Sequence, residues 1–367
     1  MAPRGGKIRQ GTYLHRNRAS GRLMKKRVTL KDIAERAGVS TALVSYVMNG
    51  KDKEGKVGRE MAARINRIAE ELNFKPHHIA RSLRSGRSHT LGLVIADISN
   101  PFFANIARIV ENEARAFGYT VIYGSSDEDP RKSSDLIDVL LNRSVDGFIL
   151  VVTEDSHAKV WELLKDRVPF VLLDRYLTGV PADHVSTDNY RASHDACTHL
   201  FENGYRRIGM IAYESELPHM KERIRGYADA LQELGLGQRP SRLSKVHVKE
   251  VALKTREAID GMLSGDEPVD AIIFCTYSLA VNGLKYINAL GLRIPDDLGV
   301  VSFGQAELFD LYQCPITYVM QQMDQLGKKA VEILIDNIRH PDNPKQQILM
   351  PATLIRRDSS RPKPGPA

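Results

Sequence analysis

The sequence has little cysteine and no long apolar run, and both absences restrict the class of protein. Its 367 residues include three cysteines, Cys197, Cys275 and Cys314, which are far apart and form no CxxC pair. This pattern excludes a disulfide scaffold and a four-thiolate zinc site, and it fits a reducing cytosol. No stretch approaches the roughly 18–20 uncharged apolar residues that span a bilayer, and no apolar segment follows the basic N-terminus as in a secretory signal. We therefore expect a cytoplasmic protein without a membrane partner.

Motifs that would indicate an enzyme or a bound cofactor are also missing. The sequence has no GxxxxGK[ST] phosphate loop, no GxGxxG after a strand and no GxSxG nucleophile elbow. His194, Cys197 and His199 lie close in sequence, but on a helix His199 would lie about 140° from His194, so the three side chains would not converge on a metal ion. We predict no catalytic residues, no cofactor and no metal site. An α/β enzyme is the alternative, which a turnover assay would test.

Charge is distributed very unevenly along the chain. Residues 1–88 hold 21 Lys and Arg against 7 Asp and Glu, whereas residues 89–367 hold 31 against 38. A basic module joined to an acidic body is typical of a polyanion-binding domain attached to a second domain. A solvated basic tail without a partner is the alternative. Residues 1–26 carry eight basic residues, no acidic one and no apolar period, which predicts a disordered tail.

Residues 27–73 carry three amphipathic helical patterns, the first two separated by a short turn. Thr29 and Ser40 stand at N-cap positions, and Gly38 permits the left-handed residue that a sharp turn requires. This spacing predicts a helix-turn-helix DNA-binding domain, with a plain helical hairpin as the alternative. The apolar positions expected to face inward are Ile33, Ala34, Ala37, Leu43, Val44, Val47, Met48, Ile65, Ile68, Ala69 and Leu72.

The pattern changes after residue 73. In residues 74–90, Pro76 ends the preceding helical period, and a short helical piece and a linker rich in Ser, Gly and Arg follow. Between residues 91 and 358, apolar runs alternate with helical periods, which predicts an α/β core of two doubly wound parallel sheets with ligands at the carboxyl ends of the strands. Residues 359–367 are predicted to be a disordered tail. The predicted strands are 91–96, 147–152, 170–173, 208–212, 271–275 and 299–303.

Several longer motifs follow one another over about residues 28–358. They are VTLKDIAERAGVS, ARSL, ADISNPFF, RSVDGFIL, LLDR, STDN, NGYRRIG, RIRGY, GLRIPDDLGVVSF and LIRRDSS. In identity and order this set resembles the lactose-repressor/galactose-repressor (LacI/GalR) family of bacterial transcription regulators. The resemblance implies an all-α helix-turn-helix head, a hinge helix within 74–90 and a two-lobed core similar to periplasmic sugar-binding proteins.

The function that the resemblance implies is sequence-specific repression of transcription. A homodimer would bind a pseudo-palindromic double-stranded operator, and a small-molecule effector between the core lobes would modulate the affinity. No leucine heptad follows the LIRRDSS motif, which favours a dimer over a tetramer. The alternative is a cytosolic small-molecule-binding protein that binds DNA only non-specifically.

The resemblance also assigns DNA contacts to individual residues. Thr29 and Ser40 would hold phosphates at helix starts. Tyr46 stands where family members often carry Arg; its ring could pack on a thymine methyl, or Tyr46 and Leu43 could be packing residues. Leu83 matches the leucine that wedges between base pairs and kinks the duplex. The base-facing positions of the second helix are Thr41, Ala42, Ser45, Tyr46 and Asn49, and those of the hinge are His77, where the family often has Asn, Ala80 and Leu83.

Effector contacts are likewise implied by the resemblance. Arg223 in RIRGY matches an arginine that clamps ligand oxygens, and a cationic fork in a crevice suits a carboxylate, a phosphate or hydroxyl groups. For three positions a structural role is the alternative: Phe102 as a core aromatic residue, Arg175 in an ion pair and Asp188 as a helix cap. The predicted effector-binding residues are Asn100, Phe102, Phe103, Arg175, Asp188, Arg223 and Tyr277.

Two polar ligand positions of the family are changed in this sequence. Thr276-Tyr277 replaces an Asn-Asp pair, and Gly304 replaces an acidic residue. Because sugar-binding members use such groups to satisfy hydroxyls, the change argues against an ordinary sugar. The effector is left open among aromatic, acidic and nucleobase-like molecules, or none.

Overall fold

The structure, a computed structural model, describes residues 28–48, 57–74, 87–237 and 242–363. These residues form two compact units, the head before the gap at 75–86 and the core after it. The predicted N-terminal tail, Asn49 and the hinge positions His77, Ala80 and Leu83 lie outside the described residues, so their predicted roles are untested.

The head consists of three helices, α1 (Leu30–Ala37), α2 (Thr41–Met48) and α3 (Arg59–Glu71), among its described residues. Thr29 and Asp32 form a capping box at the start of α1, in which the Thr29 hydroxyl accepts from the Asp32 backbone N–H at 3.4 Å. The Ser40 hydroxyl accepts from the backbone N–H of Leu43 at 3.2 Å and so caps α2. Gly38 takes φ +66° between the two helices, a conformation that L side chains disfavour. Both predicted caps and the predicted turn residue are confirmed.

A small apolar cluster holds the three helices of the head together. Leu43, Met48 and Leu72 pack against it while remaining partly exposed. The predicted inner faces of the helices are therefore confirmed, with these three residues at the rim. The buried members are Ile33, Ala34, Ala37, Val44, Val47, Ala62, Ile65, Ile68 and Ala69.

The core consists of two lobes, each built on one sheet. The first lobe contains residues 87–187 and 323–350, and the second contains the described residues of 189–320 and 353–363. The first lobe comprises β1 (Thr90–Ile95), α4 (Pro101–Ala116), β2 (Thr120–Ser125), α5 (Pro130–Asn142), β3 (Gly147–Leu150), α6 (His157–Lys165), β4 (Phe170–Leu173), β5 (His184–Thr187), α12 (Met323–Arg339) and β11 (Gln347–Met350).

The sheet of the first lobe is entirely parallel, with strand order β11-β5-β4-β3-β1-β2. One apolar cluster joins it to α4 and α12, and another joins the opposite face to α5 and α6. Burial on both faces explains the continuous apolar runs of β1, β3 and β4.

The second lobe repeats this plan with one reversed edge strand. Its order is β12-β10-β9-β8-β6-β7, in which only the β10–β12 pair is antiparallel among the described strands. The elements are α7 (Asn189–Glu202), β6 (Ile208–Tyr213), α8 (Pro218–Glu233), β7 (Leu243–Val246), α9 (Val251–Leu263), β8 (Ala271–Phe274), α10 (Tyr277–Ala289), β9 (Gly299–Phe303), α11 (Leu308–Leu311), β10 (Thr317–Met320) and β12 (Thr353–Ile355).

The prediction of a disordered tail from residue 359 is wrong for its first residues. Ser359 and Ser360 are buried in a short 3-10 turn. The Ser359 hydroxyl donates to the Val300 carbonyl at 2.6 Å and accepts from the Thr317 N–H at 2.7 Å. Ser360 Oγ lies 2.8 Å from His199 Nε2. These bonds pair polar groups inside the second lobe, so the segment belongs to its core.

Within the described residues, none of the helices combines the length and the apolar character needed to cross a bilayer.

Candidate functional site

The exposed face of α2 is the first candidate site. Thr41, Ala42 and Tyr46 are exposed and Ser45 is half-buried, whereas Val44 and Val47 on the other side fill the head core. The Tyr46 side chain is 38% exposed, whereas Leu43 packs against the apolar cluster of the head. The four predicted base-facing residues that the structure describes therefore share one accessible face. Thr29 and Ser40, at the starts of α1 and α2, are exposed as well.

The second candidate site is the cleft between the carboxyl ends of the two core sheets. The chain passes from lobe to lobe at residues 187–189, 320–323 and 350–353. Gln321 links two of these passages to the first sheet, since its Nε2 donates to Thr187 Oγ1 at 2.9 Å and to Asp174 Oδ1 at 3.2 Å. Asp188 N donates to the Met350 carbonyl at 2.8 Å. The passages between the lobes are thus joined by hydrogen bonds at the back of the cleft.

Arg175 is held in the cleft by a two-pronged ion pair. Its Nη1 and Nη2 each lie 2.7 Å from one carboxylate oxygen of Glu128, and the guanidinium lies 5.5 Å from the Phe103 ring centroid. The structural ion pair considered for Arg175 is therefore present. Burial disfavours its charge, but Glu128, Asp174 and Glu154 together outweigh burial and raise the pKa of Arg175. Phe103 itself is buried in the first-lobe core.

The loops around this ion pair adopt unusual backbone conformations. Asp127, Glu128 and Asp174 have φ values of +53°, +58° and +65°, in the left-handed region. Each such non-glycine residue costs of order 1–3 kcal/mol and tends to occur at binding sites, where the surrounding structure enforces it. The strained residues of both loops therefore lie at or next to the Glu128–Arg175 ion pair.

Arg223 is the most tightly held of the predicted effector residues. It is 4% exposed, and its Nε donates to Asn189 Oδ1 at 2.7 Å while Nη1 donates to the Cys275 carbonyl. The guanidinium carbon lies 4.3 Å from the Phe303 ring centroid. Burial lowers the pKa of Arg223, although the nearby Asp174 opposes this. No described residue accepts a hydrogen bond from Nη2, so that donor can contact a ligand.

Close packing of α7 and α8 explains how Arg223 reaches Asn189. Gly226, in the motif RIRGY, lies against the Tyr190 carbonyl so closely that a Cβ would clash with it. Glycine therefore allows the two helices to approach, and Arg223, one turn earlier on α8, meets the first residue of α7. Asp188, by contrast, accepts a hydrogen bond from the Arg191 N–H at 3.0 Å and so caps α7. This is the structural role that the sequence offered as the alternative to an effector contact.

The remaining predicted effector residues lie at helix starts around the cleft. Asn100 caps α4 by accepting from the Phe102 N–H at 3.0 Å, and Phe102 is half-buried against the first-lobe core. Tyr277 begins α10 and packs against Phe309, with ring centroids 6.2 Å apart. Gly304 takes φ +84°, and a Cβ there would lie 3.8 Å from the Tyr277 Cβ. Tyr277 thus borders the position at which the family carries an acidic residue.

Contacts between the lobes also exist away from the three passages of the chain. Glu154, which follows β3, accepts hydrogen bonds from the Ser215 hydroxyl and from the Glu216 backbone N–H, the latter at 3.1 Å. Leu217, next to them in the second lobe, packs in an apolar cluster of the first lobe. The two lobes are therefore in direct contact through these residues.

His194, Cys197 and His199 do not form a cluster. His194 Nε2 lies 2.9 Å from Glu233 Oε2, whereas His199 Nε2 contacts Ser360. Burial raises the pKa of the Cys197 thiol to about 12. In the part of the chain that the structure describes, no group of three or more His, Cys, Asp and Glu side chains is placed to hold a metal ion.

Three cleft residues are not predicted from the sequence. Glu128, His219 and Gln321 lie in or behind the cleft but are absent from the predicted set, whereas Asn189 is expected to face the cleft beside Asp188. One signal is available, because His219 lies one helical turn before Arg223.

Asp174 provides a test of the charge arrangement in the cleft. Burial raises the pKa of its carboxyl, and Arg175 and Arg223 oppose this only in part. The folded protein therefore keeps the proton to a higher pH than the unfolded chain, and the free energy of unfolding falls as the pH rises through the folded-state pKa. We expect Asp174→Asn to raise the urea midpoint at pH 7, by a margin that shrinks as the pH falls toward the unfolded-state pKa near 4 and vanishes below it.

Asp183→Asn is the matched control for this prediction. Asp183 is equally buried, but it accepts from Asn337 Nδ2, Lys345 Nζ and the Gln346 N–H at 2.8, 3.0 and 2.7 Å. Its replacement should lower the urea midpoint, because it removes the carboxylate from a satisfied ion pair. If both variants were destabilised equally, the Asp174 carboxylate would be as well stabilised by its neighbours as that of Asp183, and the prediction would be wrong.

Comparison with known proteins identifies the family. The family model "Bacterial regulatory proteins, lacI family" matches residues 29–77, and "Periplasmic binding protein-like domain" matches residues 197–360. The ribose operon repressor of Haemophilus influenzae is 30% identical over 331 residues, 90% of this chain and 98% of that protein. The chain belongs to the LacI family. The HTH-type transcriptional repressor PurR of Aliivibrio fischeri is also 30% identical, over 90% of this chain and 98% of that protein.

Solved structures of transcription regulators share the fold. The transcriptional regulator CelR in its cellobiose complex is 25% identical, with a TM-score of 0.67 over 91% of this chain and 100% of that one. The Lac repressor dimer bound to operator and the anti-inducer ONPF is 22% identical, with a TM-score of 0.79 over 92% and 100%. The predicted fold class, a helix-turn-helix head and a two-lobed periplasmic-binding-protein-like core, is confirmed.

Proposed function

We propose that this LacI-family protein is a sequence-specific, DNA-binding transcriptional repressor whose operator affinity depends on a small molecule bound between the core lobes. The observation that carries the proposal is the 30% identity to named repressors over 90% of the chain, which spans the head and both lobes. The exposed face of α2 and the arginine-lined cleft supply the two kinds of contact that such a repressor needs. The proposal assigns the protein to the cytoplasm, with DNA, and gives it no catalytic step.

In the proposed complex, two copies of the chain bind the two halves of a pseudo-palindromic operator. The exposed face of α2 contacts base edges in the major groove through Thr41, Ala42, Ser45 and Tyr46. Thr29 and Ser40 contact phosphates, which fix the register of the head on the duplex. By resemblance to the family, Asn49, His77, Ala80 and Leu83 complete the contact surface.

Effector binding changes DNA affinity through the relative position of the lobes. A ligand shifts an equilibrium between two conformations only by its difference in affinity for them. Residues from both lobes line the cleft, so a ligand that contacts both favours one lobe arrangement. We assign the effector contacts to Asn100, Phe102, Phe103, Arg175, Asp188, Arg223 and Tyr277, with Phe103 acting through Arg175.

Mapping the DNA fragments bound by the protein in cells, followed by titration of one fragment, tests the proposal. We expect a shared inverted repeat, and an affinity for it about 10³-fold or more above that for random duplex at physiological salt. A protein that binds DNA only through charge would show no shared sequence, and its affinity would fall steeply with salt for every duplex alike.

Tyr46 provides a sharper prediction for the recognition face. Because its ring is exposed on α2, we expect Tyr46→Ala to weaken operator binding by about 1–3 kcal/mol, roughly 5- to 150-fold, while random duplex binds as before. Tyr46→Arg should change the preferred base at one symmetric operator position, since Arg pairs with guanine. Selection of bound sites from a random pool measures both effects, and identical selected sites for all three proteins would make Tyr46 a packing residue.

A further inference from the structure

A cavity of about 120 Å³ lies in the first lobe, where α5 and α6 meet the carboxyl end of β3. Its apolar walls include Ile137 of α5, Leu150 of β3 and Val160 of α6. An engineered apolar cavity of about 150 Å³ binds benzene, so a single six-membered ring is close to the size that fits here. None of the predicted effector-binding residues lines this cavity, which separates it from the cleft between the lobes.

The wall of the cavity also carries an unpaired hydroxyl, that of Ser133. Ser133 lies one turn before Ile137 on the inner face of α5 and is 6% exposed. Its backbone N–H donates to the Asp129 carbonyl at 2.9 Å, but its hydroxyl makes no hydrogen bond to a described residue. Buried hydroxyls are nearly always paired, so an unpaired one that borders a cavity indicates a partner within the cavity.

The one cationic side chain that lines the cavity is already paired. Lys159 Nζ donates to Asp138 Oδ1 at 2.7 Å and to the two carboxylate oxygens of Glu162 at 2.9 and 3.0 Å. Asp155 adds a carboxylate to the lining. An anionic ligand would therefore lie near three carboxylates without an unpaired ammonium group, whereas an uncharged ligand would meet no such repulsion.

These features together define a class of ligand. Apolar walls favour a hydrocarbon ring, since burying it removes apolar surface from water. Because a buried hydroxyl that stays unpaired is costly, the ligand gains affinity from one group that pairs with Ser133. A hydroxyl is such a group, because it can donate to the serine oxygen or accept from it.

We propose that the cavity between α5 and α6 is a second small-molecule site of this protein, which binds an uncharged single-ring molecule through a hydroxyl group that pairs with Ser133. The site is separate from the effector cleft, so the inference goes beyond the proposed function and does not rest on it. Leu217 of the second lobe packs in the same apolar cluster as Ile137, Leu150 and Val160. A ligand in this site therefore lies beside a contact between the two lobes.

Phenol, toluene and benzoate are matched probes of this site. They share one ring and differ in the group attached to it, which is a hydroxyl, a methyl and a carboxylate. Calorimetric titration of the full-length protein measures their binding. We expect phenol to bind once per chain with a millimolar or tighter Kd, and benzoate to bind at least about tenfold more weakly, because its charge would lie near the three carboxylates.

Two substitutions of Ser133 test how the site recognises its ligand. Ser133→Ala removes the hydroxyl, and Ser133→Leu fills the cavity. We expect Ser133→Ala to bind phenol at least about threefold more weakly but toluene as before, which is the effect of one neutral hydrogen bond. Its Tm without probe should not fall, since the hydroxyl lost was unpaired. Ser133→Leu should bind neither phenol nor toluene.

Ser193→Ala is the matched control for these variants. The Ser193 hydroxyl is also buried on a helix and unpaired, but Ser193 belongs to α7 of the second lobe and does not line the cavity. Both probes should bind Ser193→Ala as they bind the wild type.

Methyl NMR of the full-length protein locates the bound probe. Ile137 lines the cavity, whereas Ile259 is buried in the core of the second lobe. Phenol should shift the methyl signals of Ile137 and leave those of Ile259 in place. A shift at Ile259 without one at Ile137 would put the ligand elsewhere and overturn the inference.

The binding measurements can overturn the inference in three further ways. It is wrong if neither phenol nor toluene binds, and also if both Ser133 variants bind phenol as the wild type does. Tighter binding of benzoate than of phenol would make the cavity an anion site, and the stated ligand class would be wrong. None of these probes enters the operator-binding experiments, so each of these failures leaves the proposed function intact.

Discussion

Arg223→Ala is expected to abolish the response to effector, with a loss of effector affinity of at least about 30-fold. Arg223 is buried, and its guanidinium joins Asn189 at the start of α7 to the Cys275 carbonyl at the end of β8. Removing one partner of a buried, charge-assisted hydrogen bond costs about 2–5 kcal/mol, which corresponds to a loss of this size. Titration of operator binding against effector measures the result, and operator affinity without effector should be unchanged.

The same substitution also affects the core, and two further variants separate the effects. Loss of Arg223 leaves Asp174 with one compensating cation fewer, so we expect a lower unfolding midpoint for the core. Arg223→Lys keeps the charge but not the planar fork, and should weaken the response without abolishing it. Arg225→Ala is the control, because Arg225 lies two residues away on the exposed side of α8 over the Tyr190 ring. A normal dose response in Arg223→Ala would remove Arg223 from the effector site.

Ile65→Ala is expected to unfold the head and abolish specific operator binding while the core keeps its own unfolding transition. Ile65 is fully buried in the single apolar cluster of the described head residues. Truncation of a buried Ile costs about 2–5 kcal/mol, as much as a core this small supplies. Operator affinity and amide hydrogen exchange of the head measure the effect, with a loss of affinity of more than about 100-fold.

The control for Ile65→Ala is its neighbour on α3. Asn66 is exposed, and Asn66→Ala should leave operator affinity within about twofold of the wild type. Operator binding by Ile65→Ala at wild-type strength, with the head still protected from exchange, would contradict the assignment of head stability to this cluster.

The parts of the fold that depend on local physics could be predicted from the sequence. Thr29, Gly38 and Ser40 occupy cap and turn positions whose backbone requirements few other residues meet. Strands β3 and β4 are buried on both faces, so each reads as an unbroken apolar run. The 3.6-residue period likewise predicts helices at 101–117, 131–142, 189–203, 220–234, 252–264 and 278–290, with bounds within two residues of those of α4, α5, α7, α8, α9 and α10.

Elements whose placement depends on distant parts of the chain were missed. In the edge strand β2, Ile122 and Tyr123 are exposed, so the strand has no continuous apolar signal. β11 and β12 are short and partly exposed, and they pair with strands more than 30 residues earlier in the chain. α12 was missed for a different reason, because its amphipathic 3.6-residue period is visible in the sequence and could have been used to predict it.

The cleft shows the same division between local and distant information. Arg223 was identified because the RIRGY motif surrounds it, whereas Glu128 was not, since its ion pair with Arg175 spans 47 residues of sequence. For Arg175 and Asp188 the sequence left two roles open, and only the three-dimensional contacts show the ion pair and the helix cap.

The proposed function is tested most directly by measuring how purified full-length protein binds its selected operator and random duplex, with and without a deproteinised cell extract. We expect the protein to bind an inverted repeat as a dimer, with an affinity about 10³-fold or more above that for random duplex at physiological salt. We also expect the extract to change this affinity at least about fivefold. Equal affinity for operator and random duplex, unaltered by metabolites, would contradict the proposed function.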